Sequence, residues 1–102
     1  MKQFRPPDVE RIMFVIKADN RPEVLPKVVL LFHRLNVEID ALYMVRRRNS
    51  EMMRMNVTSQ SNREISRRIE AHLYKVVQIR SVKVEWACKE ILAHADDLES
   101  ES

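Results

Sequence analysis

Apolar and polar residues along this chain follow two periods, and the changes between them predict six elements. Four stretches alternate as strands do, and two stretches repeat apolar residues at helical spacing. Strands are predicted at residues 10–18, 37–46, 51–58 and 78–86, and helices around the stripes Leu25, Val28, Val29, Phe32, Leu35 and Ile65, Ile69, Leu73, Val76. This order predicts a split βαβ arrangement in the α+β class, with a four-stranded antiparallel sheet and both helices on one face.

Asn36 is predicted to end the first helix in the left-handed conformation, because the chain has no glycine and asparagine is the next best residue there. Strict alternation in the next strand would put Val37, Ile39, Ala41, Tyr43 and Val45 on one face. Residues 47–50 are expected to form a turn and residues 59–62 a polar loop, with Ser61 or Asn62 capping the second helix.

The turn between the first strand and the first helix, residues 19–25, is the candidate binding site. The first N–H groups of a helix lack partners within the helix, so this turn can offer donors to a carboxylate or phosphate. In the simpler interpretation Asn20 or Asp19 merely caps the helix, and the turn alone favours that interpretation.

The length of 102 residues corresponds to one domain, expected at residues 10–86. Residues 1–9 are predicted to be an extended leader, because Pro6 and Pro7 bar a helix. Residues 87–102 are predicted to be a short helical or frayed acidic tail. The chain has no signal-peptide pattern and no apolar run of membrane-spanning length, and its single cysteine suits the reducing cytoplasm.

A formal net charge of +3 permits nucleic-acid contact without arguing for it. The arginines at positions 46–48 have no aromatic residues among them for stacking bases, so a solvated hairpin tip is favoured over a nucleic-acid-binding module. We expect no nucleic-acid or membrane partner.

The sequence shows no catalytic or metal-binding pattern. His33, His72 and His94 are scattered and Cys88 stands alone, so ligands at metal-site spacing are lacking. The absence of glycine excludes glycine-dependent phosphate loops and dinucleotide fingerprints. We expect a non-catalytic protein without a cofactor or metal of its own.

Three runs of residues match, without gaps, the pattern of a known family. The family reads N-x-P-G-x-L-x-R-V-x-x-L-F-x-x-R-G-F-N-I-x-x-L, then S-R-M-T-I, then I-x-x-Q-L-x-K-L-x-x-V. The matching residues here are Asn20–Val28 with Leu31, Phe32, Leu35–Ile39 and Leu42, then Met53–Val57, then Ile69–Ile79. The chain therefore resembles a ferredoxin-like ACT domain, and more narrowly the small regulatory subunit of acetolactate synthase.

The resemblance implies a homodimer paired through the second strand and a complex with the large catalytic subunit of acetolactate synthase. That subunit would carry the thiamine diphosphate, flavin and magnesium, and this chain would raise its activity in branched-chain amino-acid biosynthesis. An amino-acid effector, usually valine, would lie between the strand-to-helix turn of one copy and the start of the second strand of the other. The implied site residues are Asn20, Arg21, Pro22, Glu23, Val24, Leu25, Glu38 and Ile39.

Two departures from the family pattern fall at this site. The family glycine is Glu23 here and a family asparagine is Glu38, so a valine carboxylate would meet two like charges. The resemblance therefore implies an activating subunit with weak or absent valine feedback. The alternative is a free-standing ACT-domain sensor of another small molecule, with Glu23 and Glu38 favouring a cationic ligand or none.

Overall fold

The computed structural model describes residues 10–86, and it contains four strands and two helices in the predicted order. The sheet is antiparallel throughout, with strand order β2-β3-β1-β4. The elements are β1 Glu10–Asp19, α1 Val24–Arg34, β2 Ile39–Arg46, β3 Met52–Ser61, α2 Arg63–Tyr74 and β4 Ile79–Trp86. The predicted ferredoxin-like βαββαβ arrangement is confirmed, whereas the predictions for residues 1–9 and 87–102 lie outside the described residues.

The core lies between the sheet and the two helices, and the central strand β1 supplies its middle row. Alternate side chains of β1 are buried, as are their partners on β3 and the inner stripes of α1 and α2. The rings of Phe14 and Phe32 meet edge to face with centroids 5.4 Å apart, an arrangement that aromatic quadrupoles favour. The buried row of β1 consists of Ile12, Phe14, Ile16 and Ala18.

The prediction that β2 alternates strictly from residue 37 is wrong, because the strand contains a bulge. Ile39 pairs with Ser59 and Ala41 with Thr58, so Asp40 is an extra residue in the ladder. A bulge reverses the faces of everything after it. Ile39 therefore shares the core face with Leu42 and Met44, whereas Ala41, Tyr43 and Val45 are exposed on the opposite face.

The predicted polar loop at 59–62 is also mostly wrong, because β3 continues through Ser61. The first residues of β1, Glu10 to Ile12, pair with residues 59–61 of β3. The ladder therefore continues through residues 59–61 although the side chains of these three residues are polar. Asn62 then caps α2 as predicted, and its Oδ1 accepts the Ile65 N–H at 2.8 Å.

Asn36 follows the end of α1 with φ of 59°, the left-handed conformation that the sequence predicted. Among the described residues no other has a positive φ, so this position carries the steric demand that glycine usually meets. Neither helix of this part of the chain has the length and apolar character that a membrane span requires.

Substituting Asn36 tests that demand. Asn36→Ala should lower the free energy of unfolding by about 1 kcal/mol, since a β-carbon without a compensating amide disfavours this conformation, and Asn36→Gly should not lower it. Urea denaturation measures both. Asn49→Ala, at an exposed turn residue with negative φ, is the matched control and should change stability by less than about 0.5 kcal/mol. Equal losses in all three variants would contradict the interpretation.

Candidate functional site

Asn20 joins the strand-to-helix turn to the hairpin between β2 and β3. Its Nδ2 donates to the carbonyl oxygens of Arg47 and Ser50, both at 2.9 Å. Its Oδ1 accepts from Arg46 Nε at 2.6 Å, and its backbone N–H donates to the Glu51 carbonyl at 2.9 Å. Both amide hydrogens and the oxygen are therefore bonded, so the side chain holds two loops together and does not cap the helix.

Asp19 is also committed elsewhere, since it forms a two-point ion pair with Arg80. Arg80 Nε lies 2.8 Å from Oδ1 and its Nη2 lies 3.3 Å from Oδ2. The register between β1 and β4 shifts at this point, and Arg80 is the extra residue that reaches back to β1. The hydrogen bond and the charge of Asp19 raise the pKa of Arg80, a group that is charged at ordinary pH in any case.

The expectation that Asn20 or Asp19 caps α1 is therefore wrong. Glu23 occupies the N-cap position and makes no side-chain cap bond. The Val24 N–H bonds instead to the Arg21 carbonyl at 3.2 Å, and Pro26 has no N–H to offer. The four backbone positions at this helix start are Glu23 to Pro26, so only the amides of Glu23 and Leu25 remain, among the described contacts, as donors for a ligand.

Glu23 stands where the family has glycine, and its backbone is ordinary. With φ of −76° and ψ of −10° the residue is right-handed, so a β-carbon causes no strain. Its Oε2 accepts from Gln78 Nε2 at 3.4 Å, and Gln78 Oε1 accepts from Lys27 Nζ at 3.3 Å. The carboxylate thus lies beside the loop that leads into β4.

Apart from Glu23, the predicted site residues lie in two grooves, on the exposed surface and in the core. Asn20 and Arg21 line a groove of about 500 Å³ at the turn, beside Arg80 and Glu51. Glu38 and Ile39 line a groove of about 730 Å³ between α1 and the start of β2. Pro22 is exposed, Leu25 is half-buried against the core and Val24 is fully buried in it.

The two grooves lie at opposite ends of β2. The seven steps from Ile39 to Arg46 correspond to about 23 Å of strand. In one chain Glu38 therefore lies far from the turn, to which Arg46 is bonded. If two β2 strands paired in antiparallel fashion, the start of one would lie beside the end of the other.

Sequence reasoning missed the part that Arg46, Ser50, Gln78 and Arg80 play at this turn. The hairpin tip is exposed, as predicted, but its carbonyl groups also hold Asn20 in place. Each of these partners lies at least 26 residues along the chain from the residue that it contacts, and no local pattern signals such distant hydrogen bonds. Among residues 10–86, no three His, Cys, Asp or Glu side chains group so as to hold a metal ion.

Comparison with known proteins shows the fold. No protein-family model matches the chain, and no curated protein matches it. The ACT domain of GTP pyrophosphokinase from Chlorobium tepidum superposes with a TM-score of 0.66 at 10% identity, over 76% of this chain and 99% of that one. An uncharacterised Thermotoga maritima protein superposes with a TM-score of 0.65 at 15% identity, over 78% of this chain and 99% of that one.

The acetolactate synthase small subunit of Thermotoga maritima is also similar, with a TM-score of 0.63 and 22% identity over 78% of this chain. This chain spans about half of that subunit, 48% of its length. The chain therefore has the fold of ACT domains.

Loss of the Asn20 amide should loosen the turn. Asn20→Ala removes three hydrogen bonds between the turn and the hairpin, and we expect the free energy of unfolding to fall by about 1–3 kcal/mol. Arg47→Ala is the control, because Arg47 contributes only its backbone carbonyl and should change stability by less than about 0.5 kcal/mol. Chemical denaturation measures both, and a neutral Asn20→Ala would show that these bonds do not stabilise the fold.

Proposed function

We propose that the chain is a non-catalytic regulatory subunit of the ACT class, and specifically the small subunit of acetolactate synthase. Its support is the gapless match of three sequence runs to that family, together with the ACT fold and the similarity to one such subunit. In this role it binds and activates the large catalytic subunit in the cytoplasm, and the thiamine diphosphate, flavin and magnesium belong to that subunit.

The exposed edge of β2 supports pairing with a second copy. β2 ends the sheet on one side, and an unpaired strand edge is a template for another strand. Apolar side chains flank this edge on both sides of the sheet: Tyr43 is 68% and Val45 42% exposed on the open face, and Val29 of α1 is 41% exposed on the other. Burying them would favour association.

In a single chain the two parts of the implied effector site lie at opposite ends of β2, and such a dimer would bring them together. Antiparallel pairing would bring Glu38 of one copy to the turn at Asn20 and Arg21 of the other. An amino-acid carboxylate would then meet Glu23 and Glu38 and find few free helix donors. Two like charges at a partly solvated site cost on the order of a few kcal/mol, so valine feedback is weak or absent.

A free-standing ACT-domain sensor is the second candidate. Its support is the ACT fold, which this chain shares with the ACT domain of GTP pyrophosphokinase, together with the two acidic residues at the implied effector site. In that case Glu23 and Glu38 select a ligand with a cationic group, and no catalytic subunit is bound.

Reconstitution separates these candidates. The chain, tagged and mixed with the large catalytic subunit from its own organism, should co-purify with it and raise its acetolactate synthase activity, and millimolar valine should leave the stimulated rate unchanged. A failure of both binding and activation would exclude the small-subunit assignment. Binding with strong valine inhibition would contradict only the loss of feedback.

The acidic substitutions can be reversed. Glu23→Gly combined with Glu38→Asn should gain valine binding, because the two repelling carboxylates are removed. At valine concentrations 100 times the dissociation constant, thermal unfolding should show about 2.7 kcal/mol of added stability. Glu70→Asn, which removes a carboxylate from α2, should gain nothing. No valine response in the double variant would show that these two charges do not prevent binding.

Charges placed beside the β2 edge should prevent dimerisation. Tyr43→Lys with Val45→Lys removes exposed apolar area and sets like charges against each other, and because both side chains are exposed the fold should persist. The mass measured by light scattering should then fall from that of a dimer to that of a monomer. Val77→Lys, at a residue 85% exposed elsewhere, should leave the dimer intact. A double variant with the mass of the unchanged chain would argue against the β2 interface.

A further inference from the structure

Within residues 10–86, the outer edge of β4 carries a side-chain contact that has no counterpart on β2. The hydroxyl of Tyr74, at the end of α2, donates to the Val82 carbonyl at 3.2 Å and accepts the Val82 N–H at 3.1 Å. One hydroxyl thus occupies both backbone groups of a residue in the middle of an edge strand. These are the groups that an added strand would use.

The register across the sheet shows which way these groups point. Val82, Ile16, Met55 and Met44 lie opposite one another in four successive strands. Residue pairs in antiparallel sheets alternate between bonded and unbonded, and a strand residue points both backbone groups to one side. Since Val82 points outward to Tyr74, Ile16 bonds to Met55, and Met44 in turn points outward from β2.

The outward backbone groups at the two ends of this row differ in their hydrogen-bond partners. At the β4 end Tyr74 satisfies the backbone of Val82. At the β2 end no side chain among residues 10–86 bonds the outward backbone groups. Within the described residues, a side chain therefore covers the middle of the β4 edge, and none covers the β2 edge.

A second contact holds α2 over the same edge strand. The guanidinium carbon of Arg63, the first residue of α2, lies 4.3 Å from the ring centroid of Trp86, the last residue of β4. A cation over an indole face is attractive. The first and last residues of α2 therefore both contact β4, and Tyr74 is held in position beside Val82.

We propose that Tyr74 closes the β4 edge against a second copy of this chain, so that pairing between copies is confined to β2. The occupant that the hydroxyl excludes is the β4 strand of another copy, because only a strand would need the Val82 backbone groups. This inference concerns the choice of edge and does not rest on the regulatory role proposed above.

Tyr74→Phe tests the proposal. The ring of Tyr74 is 51% exposed, so loss of its hydroxyl should leave the fold intact, as circular dichroism would verify. Light scattering over a range of protein concentrations should show particles heavier than the unchanged chain. If the unchanged chain is a β2 dimer, their mass should keep rising with concentration, because each dimer has two free β4 edges. Tyr43→Phe, the same chemical change at the other described tyrosine, should have no such effect.

The position of the new contact can be measured directly. In a Cys88→Ser background, pyrene attached at Lys83→Cys on β4 should show excimer emission when Tyr74 is phenylalanine and none when Tyr74 is present. At concentrations too low for association, the Val82 amide should exchange with solvent about tenfold faster in Tyr74→Phe, since one hydrogen bond is lost.

Three results would overturn the proposal: an unchanged mass in Tyr74→Phe, a larger particle without excimer emission, or unchanged exchange of the Val82 amide. These results are independent of the β2 dimer. If the unchanged chain is a monomer, the proposed β2 interface fails, yet Tyr74→Phe should still convert monomers into dimers through β4.

Discussion

The buried row of β1 is the constraint on which the rest of the structure depends. Ile12, Phe14, Ile16 and Ala18 pair with β3 on one side and all lie in the core. A slip of one residue would turn the whole row to the opposite face, so burial fixes the register with both neighbours. With β1 and β3 in the middle, β2 and β4 must be the edges, and the turn after β1 must lie beside the β2–β3 hairpin.

A sheet with both helices on one face has two edges to protect, and the connections decide which one a helix can reach. α2 leads into β4 through a short loop, so its last turn lies beside that strand and Tyr74 meets Val82. α1 leads into β2 in the same way, but no described side chain bonds that edge, and the apolar side chains of Tyr43, Val45 and Val29 are exposed beside it. The contrast comes from side chains rather than from topology, because both edges have the same backbone chemistry.

Much of this fold could be predicted from the sequence because its signals are local. Alternation located β1, and the missing glycines made Asn36 a recognisable helix end. The bulge at Asp40 could not be predicted, because an alternating strand does not show where an extra residue enters the ladder. The role of Asn20 was mistaken for a cap because short polar side chains before a helix usually are caps, and its true partners are distant in sequence.

The candidate site was predicted from the pattern of the turn and from the resemblance, and the structure gives the backbone and the contacts of its main departure, Glu23. Glu23 has a right-handed backbone that a residue with a β-carbon adopts without strain, so this position needs no glycine. Its side chain accepts a hydrogen bond from Gln78, on the loop into β4. The hydrogen bond that fastens the turn to the end of β2 is made by Asn20 and Arg46, without Glu23. We therefore expect the glutamate to act through charge and access at the turn, because its backbone conformation is ordinary. In the regulatory role proposed above, Glu23 bears on effector binding, whereas Tyr43 and Val45 flank the β2 edge. Because these residues belong to different elements, a substitution at position 23 can remove effector binding without disturbing the edge at which two copies would pair.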